Sequence, residues 1–358
     1  MFSSRLSNGL LLVCLVVATL LVTSFADEDE VDRAANTVTI RGNDTSVRIE
    51  GDTGKIRTLY FEQDDDDDDD DDDDEVEDFS DDNEDVLTFQ VDSLQEIDSL
   101  GMPVGMSGPS DRTHGLNSLA SQIQSFNFSA LDNSSTYQGI PVKNVNLSVF
   151  LAGPQANLEL IVMVFLGTGY VNFGNETFRV QSGTLKFNIK ISDWQFCGMG
   201  NENCTSSTNQ KETGQYLDLQ LSIKSMAEPE EVEDEERQGS NKEAICEDDP
   251  NEMDDDCPRI FNMGGNSEMV LNKVVLTGTN DYVAFPPGFP KFVSTGMTKS
   301  FSFRIPKFNN TCIIDPSVNV GAPTRNQQGG GAGGGHNAAE SLHFFSFLLL
   351  LSMLIVHY

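Results

Sequence analysis

The chain has 358 residues, a formal net charge of −35 and a sequence pI of about 4.1. This length gives room for one or two domains, and the negative charge argues against nucleic acid and anionic lipid as partners because both would repel the chain. Hydrophobic residues make up 38% of the sequence, so one part of the chain can bury a core and another part cannot.

The first 26 residues have the pattern of a secretory signal peptide. Arg5 supplies a positive charge, residues 10–22 are apolar, and Ser24 and Ala26 place small residues before a cleavage site at Asp27. The alternative is an uncleaved membrane anchor. Cleavage at this site would leave a mature chain that begins Asp-Glu-Asp-Glu.

The segment that follows, residues 27–117, is strongly acidic. It carries 31 acidic and 6 basic residues, and eleven aspartates run without interruption through residues 64–74. Because such a run has no apolar side chains to bury and its charges repel one another, we predict that residues 27–117 are largely disordered. Two strand-like runs, residues 37–41 and 56–61, could add a hairpin. A solvated linker without a ligand is the alternative to a functional role.

The crowded carboxylates predict diffuse calcium binding. Ca²⁺ accepts six to eight oxygen ligands in a loose geometry, whereas Mg²⁺ demands a tight octahedron. No glycine lies between Gly54 and Gly101, and this excludes the EF-hand loop. Without a preformed cage we expect high capacity and weak affinity, on the order of 10⁻⁴–10⁻³ M per ion. The predicted ligands are Asp64, Asp65, Asp66, Asp67, Asp68, Asp69, Asp70, Asp71, Asp72, Asp73, Asp74 and Glu75.

Two nearly neutral segments, residues 118–225 and 261–322, carry the pattern of β-strands. Apolar and polar residues alternate with a period of two, which places one set inward and the other outward. The alternating runs are residues 145–151, 185–191, 217–223 and 301–305, with a further strand at 268–276 and an almost wholly apolar one at 158–166 that should be covered on both faces.

These patterns predict a mainly β protein with an antiparallel β-sandwich. Residues 118–225 and 261–322 should share one core, interrupted by an acidic insert at residues 226–260. Two separate small domains are the alternative, which we disfavour because 62 residues with a single cysteine would make a marginal domain.

The acidic insert carries 15 acidic and 3 basic residues. If Cys246 and Cys257 pair, the bridge would close a small acidic loop, which is either a tighter calcium site or an acidic surface loop without a ligand. The predicted ligands in this segment are Asp248, Asp249, Asp254, Asp255 and Asp256.

Five cysteines remain after the signal peptide. In an oxidising compartment the local pairs Cys197–Cys204 and Cys246–Cys257 are plausible, although connectivity cannot be read from a sequence. One cysteine is left over, with Cys312 as the candidate, and it could pair with another chain. A zinc site is disfavoured because the sequence has no CxxC motif and no histidine near these cysteines.

Asn-x-Ser/Thr sequons predict a glycosylated surface in an exported chain. They occur at Asn43, Asn127, Asn133, Asn146, Asn175, Asn203 and Asn309. The strand pattern at residues 145–151 places Asn146 on the solvent-facing side, where a glycan is tolerated.

The C-terminal region resembles a lipid-anchor signal. A linker at residues 323–341 includes the small residues 329–335, and an apolar tail follows at residues 342–358. Small residues, a polar spacer and an apolar end are typical of a GPI signal, with Ala332, Gly333 or Asn337 as the attachment site. The alternatives are a short transmembrane helix or neither, and each places the main body outside the cell.

Enzyme classes lack their sequence signatures. His114 is the one histidine outside the C-terminal region, which excludes a His-Glu-x-x-His zinc site, and neither a Gly-x-Ser-x-Gly elbow nor a P-loop is present. We therefore expect a protein that is not an enzyme.

Three extended strings resemble a known family. SFNFSALDNSSTYQGIPVKNVNLSVFLA at residues 125–152, VQSGTLKFNIKISDWQFC at 180–197 and FPKFVSTGMTKSFSFRIPKF at 289–308 are similar to the acidic skeletal organic matrix and skeletal aspartic acid-rich proteins of stony corals. The resemblance spans roughly residues 120–320 and includes the position of the acidic insert. It implies secretion into a calcifying matrix, calcium binding and a part in calcium carbonate deposition.

The favoured function is therefore that of a secreted or membrane-tethered matrix protein in biomineralisation. Its expected partners are calcium ions, the calcium carbonate surface, other matrix proteins and, through the tail, a membrane, with no nucleic acid. One alternative is a cell-surface adhesion or receptor module with acidic spacers. A luminal calcium buffer is disfavoured because the chain ends Val-His-Tyr without a KDEL-type signal.

Overall fold

The computed structural model describes residues 30–32, 35–42, 45–60, 79–80, 86–106, 112–113, 115–116, 119, 125–152, 154–198, 204–205, 213–225, 227–232, 258–264, 267–278, 280–295 and 298–319. They belong to a compact unit that ends at Ala322, and the second unit, Pro323–Tyr358, lies outside the described residues. The predicted signal peptide also lies outside them.

Strands account for all the regular secondary structure of the described residues. The strands of the first half are β1 (Glu30–Asp32), β2 (Thr37–Arg41), β3 (Thr45–Glu50), β4 (Lys55–Tyr60), β5 (Leu87–Ile97), β6 (Gly105–Met106), β7 (Arg112–Thr113), β8 (Gly115–Leu116), β9 (Asn127–Phe128), β10 (Asp132–Tyr137), β11 (Ile140–Leu151), β12 (Ala156–Phe165) and β13 (Gly169–Phe173). Those of the second half are β14 (Glu176–Val180), β15 (Leu185–Ser192), β16 (Cys204–Thr205), β17 (Tyr216–Lys224), β18 (Glu230–Glu231), β19 (Arg259–Gly264), β20 (Ser267–Leu271), β21 (Val274–Thr277), β22 (Asp281–Ala284), β23 (Lys291–Thr295), β24 (Thr298–Pro306), β25 (Thr311–Ile314) and β26 (Ser317–Asn319).

Two large antiparallel sheets contain most of these strands. Sheet 1 has the order β1-β2-β3-β4-β5-β17-β24-β23, with β8 also paired to β5. Sheet 2 has the order β10-β11-β12-β15-β26-β20-β19-β18, with β9, β21, β22 and β25 joined beside this path. A hairpin of β13 and β14 and a small sheet of β16, β6 and β7 complete the described fold.

The main core lies between the two sheets. Phe89 of β5 and Phe187 of β15 have ring centroids 5.2 Å apart, and Phe261 of β19 and Phe301 of β24 are 4.8 Å apart. Each pair joins one sheet to the other, and each buried phenylalanine contributes about 1.5–3 kcal/mol by leaving water. The predicted antiparallel β-sandwich is therefore confirmed.

The alternating runs fold as their period requires. The runs at 145–151, 185–191, 217–223 and 301–305 lie in β11, β15, β17 and β24, with their apolar side chains turned into the main core. Trp194, the single tryptophan of the sequence, is buried in the same core and donates through Nε1 to Glu96 Oε2 at 3.1 Å.

A second apolar cluster lies on the other face of sheet 2. Phe173 and Phe178 of the β13–β14 hairpin pack there on Val142 and Phe165 of the sheet. The hairpin explains the apolar run at residues 158–166. In β12, both faces are buried only from Val162 to Phe165, and Phe165 packs in the cluster with the hairpin. The earlier outward residues Glu159 and Ile161 are half-buried and Asn157 is exposed.

The prediction that residues 27–117 are largely disordered is wrong for those that form β1–β5. Val38, Ile49 and Phe89 of these strands are buried in the main core, so the β-domain does not begin at residue 118. Nineteen of the 31 acidic residues fall between residues 61 and 85. They dominate the average charge of residues 27–117, which concealed the alternating apolar residues of the strands on either side. The predicted hairpin of residues 37–41 and 56–61 is instead a meander, because β3 lies between β2 and β4.

The strand predicted at residues 268–276 is also corrected. It is divided into β20 and β21, with Asn272 and Lys273 between them. Both residues bond Glu176 of the hairpin: Asn272 Nδ2 donates to Oε2 at 2.5 Å and the Lys273 amide donates to Oε1 at 2.8 Å. Burying a carboxylate is costly unless it accepts hydrogen bonds. Asn272 and Lys273 supply the donors, and the strand is interrupted at these two residues.

Candidate calcium-binding segments and the strands that anchor them

The predicted calcium ligands lie outside the described residues. This applies to all twelve in the first acidic segment and to Asp248, Asp249, Asp254, Asp255 and Asp256 in the second. The structure does describe the strands before and after each segment. It therefore places the points at which the segments leave and rejoin the sandwich.

The dense part of the first acidic segment, residues 61–86, connects two neighbouring antiparallel strands, and the name first acidic segment refers to these residues from here on. It leaves β4 after Tyr60 and rejoins β5 at Leu87, and the register pairs Thr58 with Leu87 and Ile56 with Phe89. Paired strands lie about 4.8 Å apart. Both ends of the segment are consequently held at one end of sheet 1.

A small apolar cluster closes the base of this connection. Leu59, Phe79 and Val86 pack together on the outer face of sheet 1 and are 7%, 5% and 1% exposed. Arg57 donates through Nη1 to the carbonyl oxygen of Phe79, and its Nη2 lies 3.1 Å from Glu50 Oε1. We call Leu59, Phe79, Val86 and Arg57 the first neck. It returns the chain to the fold at residue 79, so that residues 61–78 form the span between its anchor points.

The second acidic segment, which here means residues 233–257, is also the connection of a hairpin. β18 and β19 pair with Glu230 opposite Asn262 and Glu231 opposite Phe261, and the Val232 amide donates to the Ile260 carbonyl oxygen at 2.9 Å. Residues 233–257 therefore lie between two paired strand ends at the edge of sheet 2.

An arginine also fastens this second neck, which we define as Glu231, Val232, Arg259 and Ile260. Arg259 Nε donates to Glu231 Oε1 at 2.6 Å, and Nη2 contacts Oε2 of the same carboxylate. Its Nη1 donates to the carbonyl oxygen of Pro290. In both necks, one guanidinium joins a carboxylate to a main-chain carbonyl, a use that the planar fork of donors permits.

The sequence interpretation missed these arginines. It counted Arg57 and Arg259 only as charges. The signal that could have found them is the position of each arginine in a strand-like run that directly flanks an acidic segment.

Among the residues that the structure describes, no group of three or more His, Cys, Asp or Glu side chains is placed to hold one ion.

Most of the described sequon asparagines are accessible. Asn127, Asn133, Asn175 and Asn309 are exposed, whereas Asn146 is half-buried and its Oδ1 is shielded without a hydrogen-bond partner. The expectation that Asn146 lies fully on the wet side is therefore only partly met. Asn43 and Asn203 lie outside the described residues.

Of the two cysteine side chains that the structure describes, one is bonded and one is free. Cys197 is disulfide-bonded, and Cys312 is free and fully buried in β25. Because these are the only cysteine side chains described, the partner of Cys197 is among those outside, and the pairs Cys197–Cys204 and Cys246–Cys257 stay predictions. Burial raises the pKa of the Cys312 thiol, so it stays protonated, and pairing with another chain would require β25 to open.

No helix that is long and apolar enough to span a bilayer occurs in the described part of the chain. The tail, with Ala332, Gly333 and Asn337, lies outside that part.

One protein similar to this chain matches it over a short stretch. A stretch of 50 residues is 44% identical to "Uncharacterized skeletal organic matrix protein 4" of Acropora millepora and covers 14% of this chain. The match spans 24% of that protein, or about a quarter of its length.

The family comparison covers nearly the whole chain. Residues 20–356 match the family of acidic skeletal organic matrix proteins. The match includes both sheets of the sandwich and both acidic segments, and it agrees with the resemblance carried by the three strings quoted above. The chain belongs to the acidic skeletal organic matrix protein family.

Proposed function

We propose that this chain is a non-enzymatic matrix protein that gathers Ca²⁺ on its two acidic segments, with low affinity and high capacity, during the deposition of a calcium carbonate skeleton. The observation that carries the proposal is the placement of the segments. Each connects two paired antiparallel strands and has a neck that fixes both of its ends to the sandwich.

The physical reason lies in how charge is divided over the chain. The near-neutral sandwich does not add to the repulsion within the runs, and it folds from its own apolar core. Lengthening a surface connection costs folding little, since each doubling of loop length adds only about 0.6 kcal/mol. A hairpin can therefore carry a dense run of carboxylates without loss of the fold.

Many weak ligands on one chain suit a calcium-rich solid better than a single ion. Carboxylates anchored at two places can occupy several lattice positions at once, and linked contacts raise avidity by effective concentration. The mineral face and other matrix proteins are the proposed partners. We further propose an exported, glycosylated chain that is tethered by its tail or released from a membrane.

Adsorption to calcium carbonate crystals tests this proposal. The variant replaces all eleven aspartates of residues 64–74 by asparagine and leaves Leu59, Phe79 and Val86 in place so that the first neck still closes. The matched control replaces the same residues by glutamate, which keeps the charge. We expect adsorption of the asparagine variant to be at least about tenfold weaker, with the glutamate control close to wild type.

A third protein carries asparagine at residues 64–74 and also in place of Asp248, Asp249, Asp254, Asp255 and Asp256 of the second segment. We expect this doubly substituted protein to adsorb still more weakly than the variant with asparagine at residues 64–74 alone. Equal adsorption of the wild-type chain and the doubly substituted protein would contradict the proposal and favour an adhesion module whose acidic segments are only spacers.

A further inference from the structure

A lysine and an aspartate lie in contact beneath the β13–β14 hairpin. Lys186 is on β15, and Asp315 lies between β25 and β26, which both pair with β15. Lys186 Nζ is 2.5 Å from Asp315 Oδ1, and both side chains are 0% exposed.

The surroundings of this pair are mainly aromatic. The Lys186 ammonium position is 4.8 Å from the ring centroid of Phe178 on β14 and 5.3 Å from that of Tyr137 on β10. Ser317 Oγ, at 3.3 Å, is a polar neighbour of Nζ, and Oδ2 of Asp315 is buried without a hydrogen-bond partner. In a buried pair, the cost of removing two charges from water can exceed the attraction between them when hydrogen bonds are few.

The site shifts both groups towards their uncharged forms. Burial lowers the pKa of Lys186 and raises the pKa of Asp315, and in each case this effect exceeds that of the partner's charge. An uncharged amine is a nucleophile, and a protonated carboxyl group is the form that can lose water. The phenol of Tyr137, whose pKa is raised by burial and by Asp315, stays protonated beside them.

We propose that Lys186 and Asp315 condense to form an intramolecular isopeptide bond. Nζ attacks Cγ of Asp315, the new C–N bond replaces the C–OH bond, and the hydroxyl leaves as water with one amine hydrogen. The second amine hydrogen stays on the amide, so that the side chains lose one water molecule and no oxidant or reductant is needed. The contact already places the amine about 3–4 Å from Cγ, within the range in which fixed reactants gain most from proximity.

The residue after Asp315 removes a competing reaction. Pro316 has no main-chain N–H, so the carboxyl group cannot close a ring on the next amide. The lysine is the amine that remains in reach.

The bond would secure the end of the folded domain. β26 is the last described strand and precedes residues 320–358, in which a tether to a membrane is predicted. Tension on the tail would arrive first at β26, a strand of three residues. A covalent link to β15 transfers that tension to the middle of sheet 2.

Peptide mass spectrometry of the full secreted chain, reduced and deglycosylated, tests the bond. Trypsin should not cleave at a modified Lys186, so we expect residues 180–190 joined to residues 308–325, with a mass 18 Da below the sum of the two peptides. Recovery of residues 180–186 and 308–325 as separate peptides would overturn the proposal. This readout from the wild-type chain does not depend on the folding of any variant.

Two substitutions add a control for the chemistry. Lys186→Arg removes the nucleophile and should abolish the linked peptide. Asp315→Asn can still react, but it loses ammonia instead of water, so the variant should give the same linked product with a loss of 17 Da. A link in the Lys186→Arg variant would show that another residue forms it and would contradict the assignment.

Discussion

Replacing Phe79 by alanine tests whether the first neck closes the acidic segment onto the sandwich. Phe79 is 5% exposed and packs with Leu59 and Val86. Burying a phenylalanine contributes about 1.5–3 kcal/mol. This cluster has only three members and can relax in part, so we expect a loss of about 2 kcal/mol in the free energy of unfolding.

Thermal unfolding is a suitable assay because the expected loss is measurable in a domain of this size. Each 1 kcal/mol lowers Tm by about 2–4 °C in a large domain, so Phe79→Ala should lower it by about 4–8 °C. The Leu59→Ala variant and the double variant complete a cycle. Since the two side chains belong to one small cluster, their effects should couple by at least about 0.5 kcal/mol.

Calcium uptake by the Phe79→Ala variant distinguishes the role of the first neck from that of the calcium ligands. Phe79→Ala removes no carboxylate, so the number of ions bound at saturation should not change. An unchanged Tm, or additive effects of Leu59→Ala and Phe79→Ala on stability, would refute the packing of Phe79 with Leu59 in the first neck.

Four further outcomes follow from the described contacts. Arg259→Ala should lower stability by about 1–3 kcal/mol in denaturant titrations, because it removes the hydrogen bond to the Pro290 carbonyl and the ion pair with Glu231. Arg259→Lys should restore only part of the loss. Gly214→Ala should lower the free energy of unfolding by about 1–3 kcal/mol because the new methyl group would collide with Oε1 of Glu96. Glu96 is a buried carboxylate that accepts hydrogen bonds from Trp194 and from the Cys197 amide. A stability equal to that of the wild type would contradict this packing. Cys312 should resist alkylation by iodoacetamide in the native protein and react only after unfolding, because it is fully buried and burial raises the pKa of its thiol; rapid native labelling would be the opposite result. Lys186→Met should leave Asp315 as a buried carboxyl group without its lysine neighbour. Because a raised carboxyl pKa means that the folded state holds the proton more tightly, the stability of this variant should fall as the pH rises from about 4 towards neutrality. A stability that increases over this range would contradict the raised pKa.

The alternation of apolar and polar residues predicted the sandwich because it can be recognised within each strand separately. In residues 217–223, for example, four apolar side chains alternate with polar ones, and β17 buries the apolar set in the main core. Such a pattern depends only on neighbours along the chain.

Pairing across the sheets could not be predicted in the same way. Residues 37–60 pair with one another, but β5 and β17 are separated by more than one hundred residues and still form neighbouring strands. Nothing local in either run indicates this register. The mean charge of residues 27–117 concealed β5 for a related reason, since one dense run determined the average.

The position of the acidic segments was predicted from the sequence, but their attachment was not. Counting charges located residues 64–74 and 226–260. The necks depend on contacts such as that of Arg57 with Phe79, which are set by the three-dimensional fold. The pair Lys186–Asp315 was equally hidden because 129 residues separate its members in the chain.

Equilibrium dialysis with radioactive calcium tests the central claim most directly, by counting the ions bound to the full chain and to the variant with asparagine at residues 64–74. Eleven carboxylates have enough oxygens to fill the ligand shells of about three calcium ions and enough negative charge to balance about five. We predict that the variant binds about three to five fewer ions at saturation and unfolds at the wild-type temperature. Equal calcium binding by the two proteins, with the fold intact in both, would contradict the account.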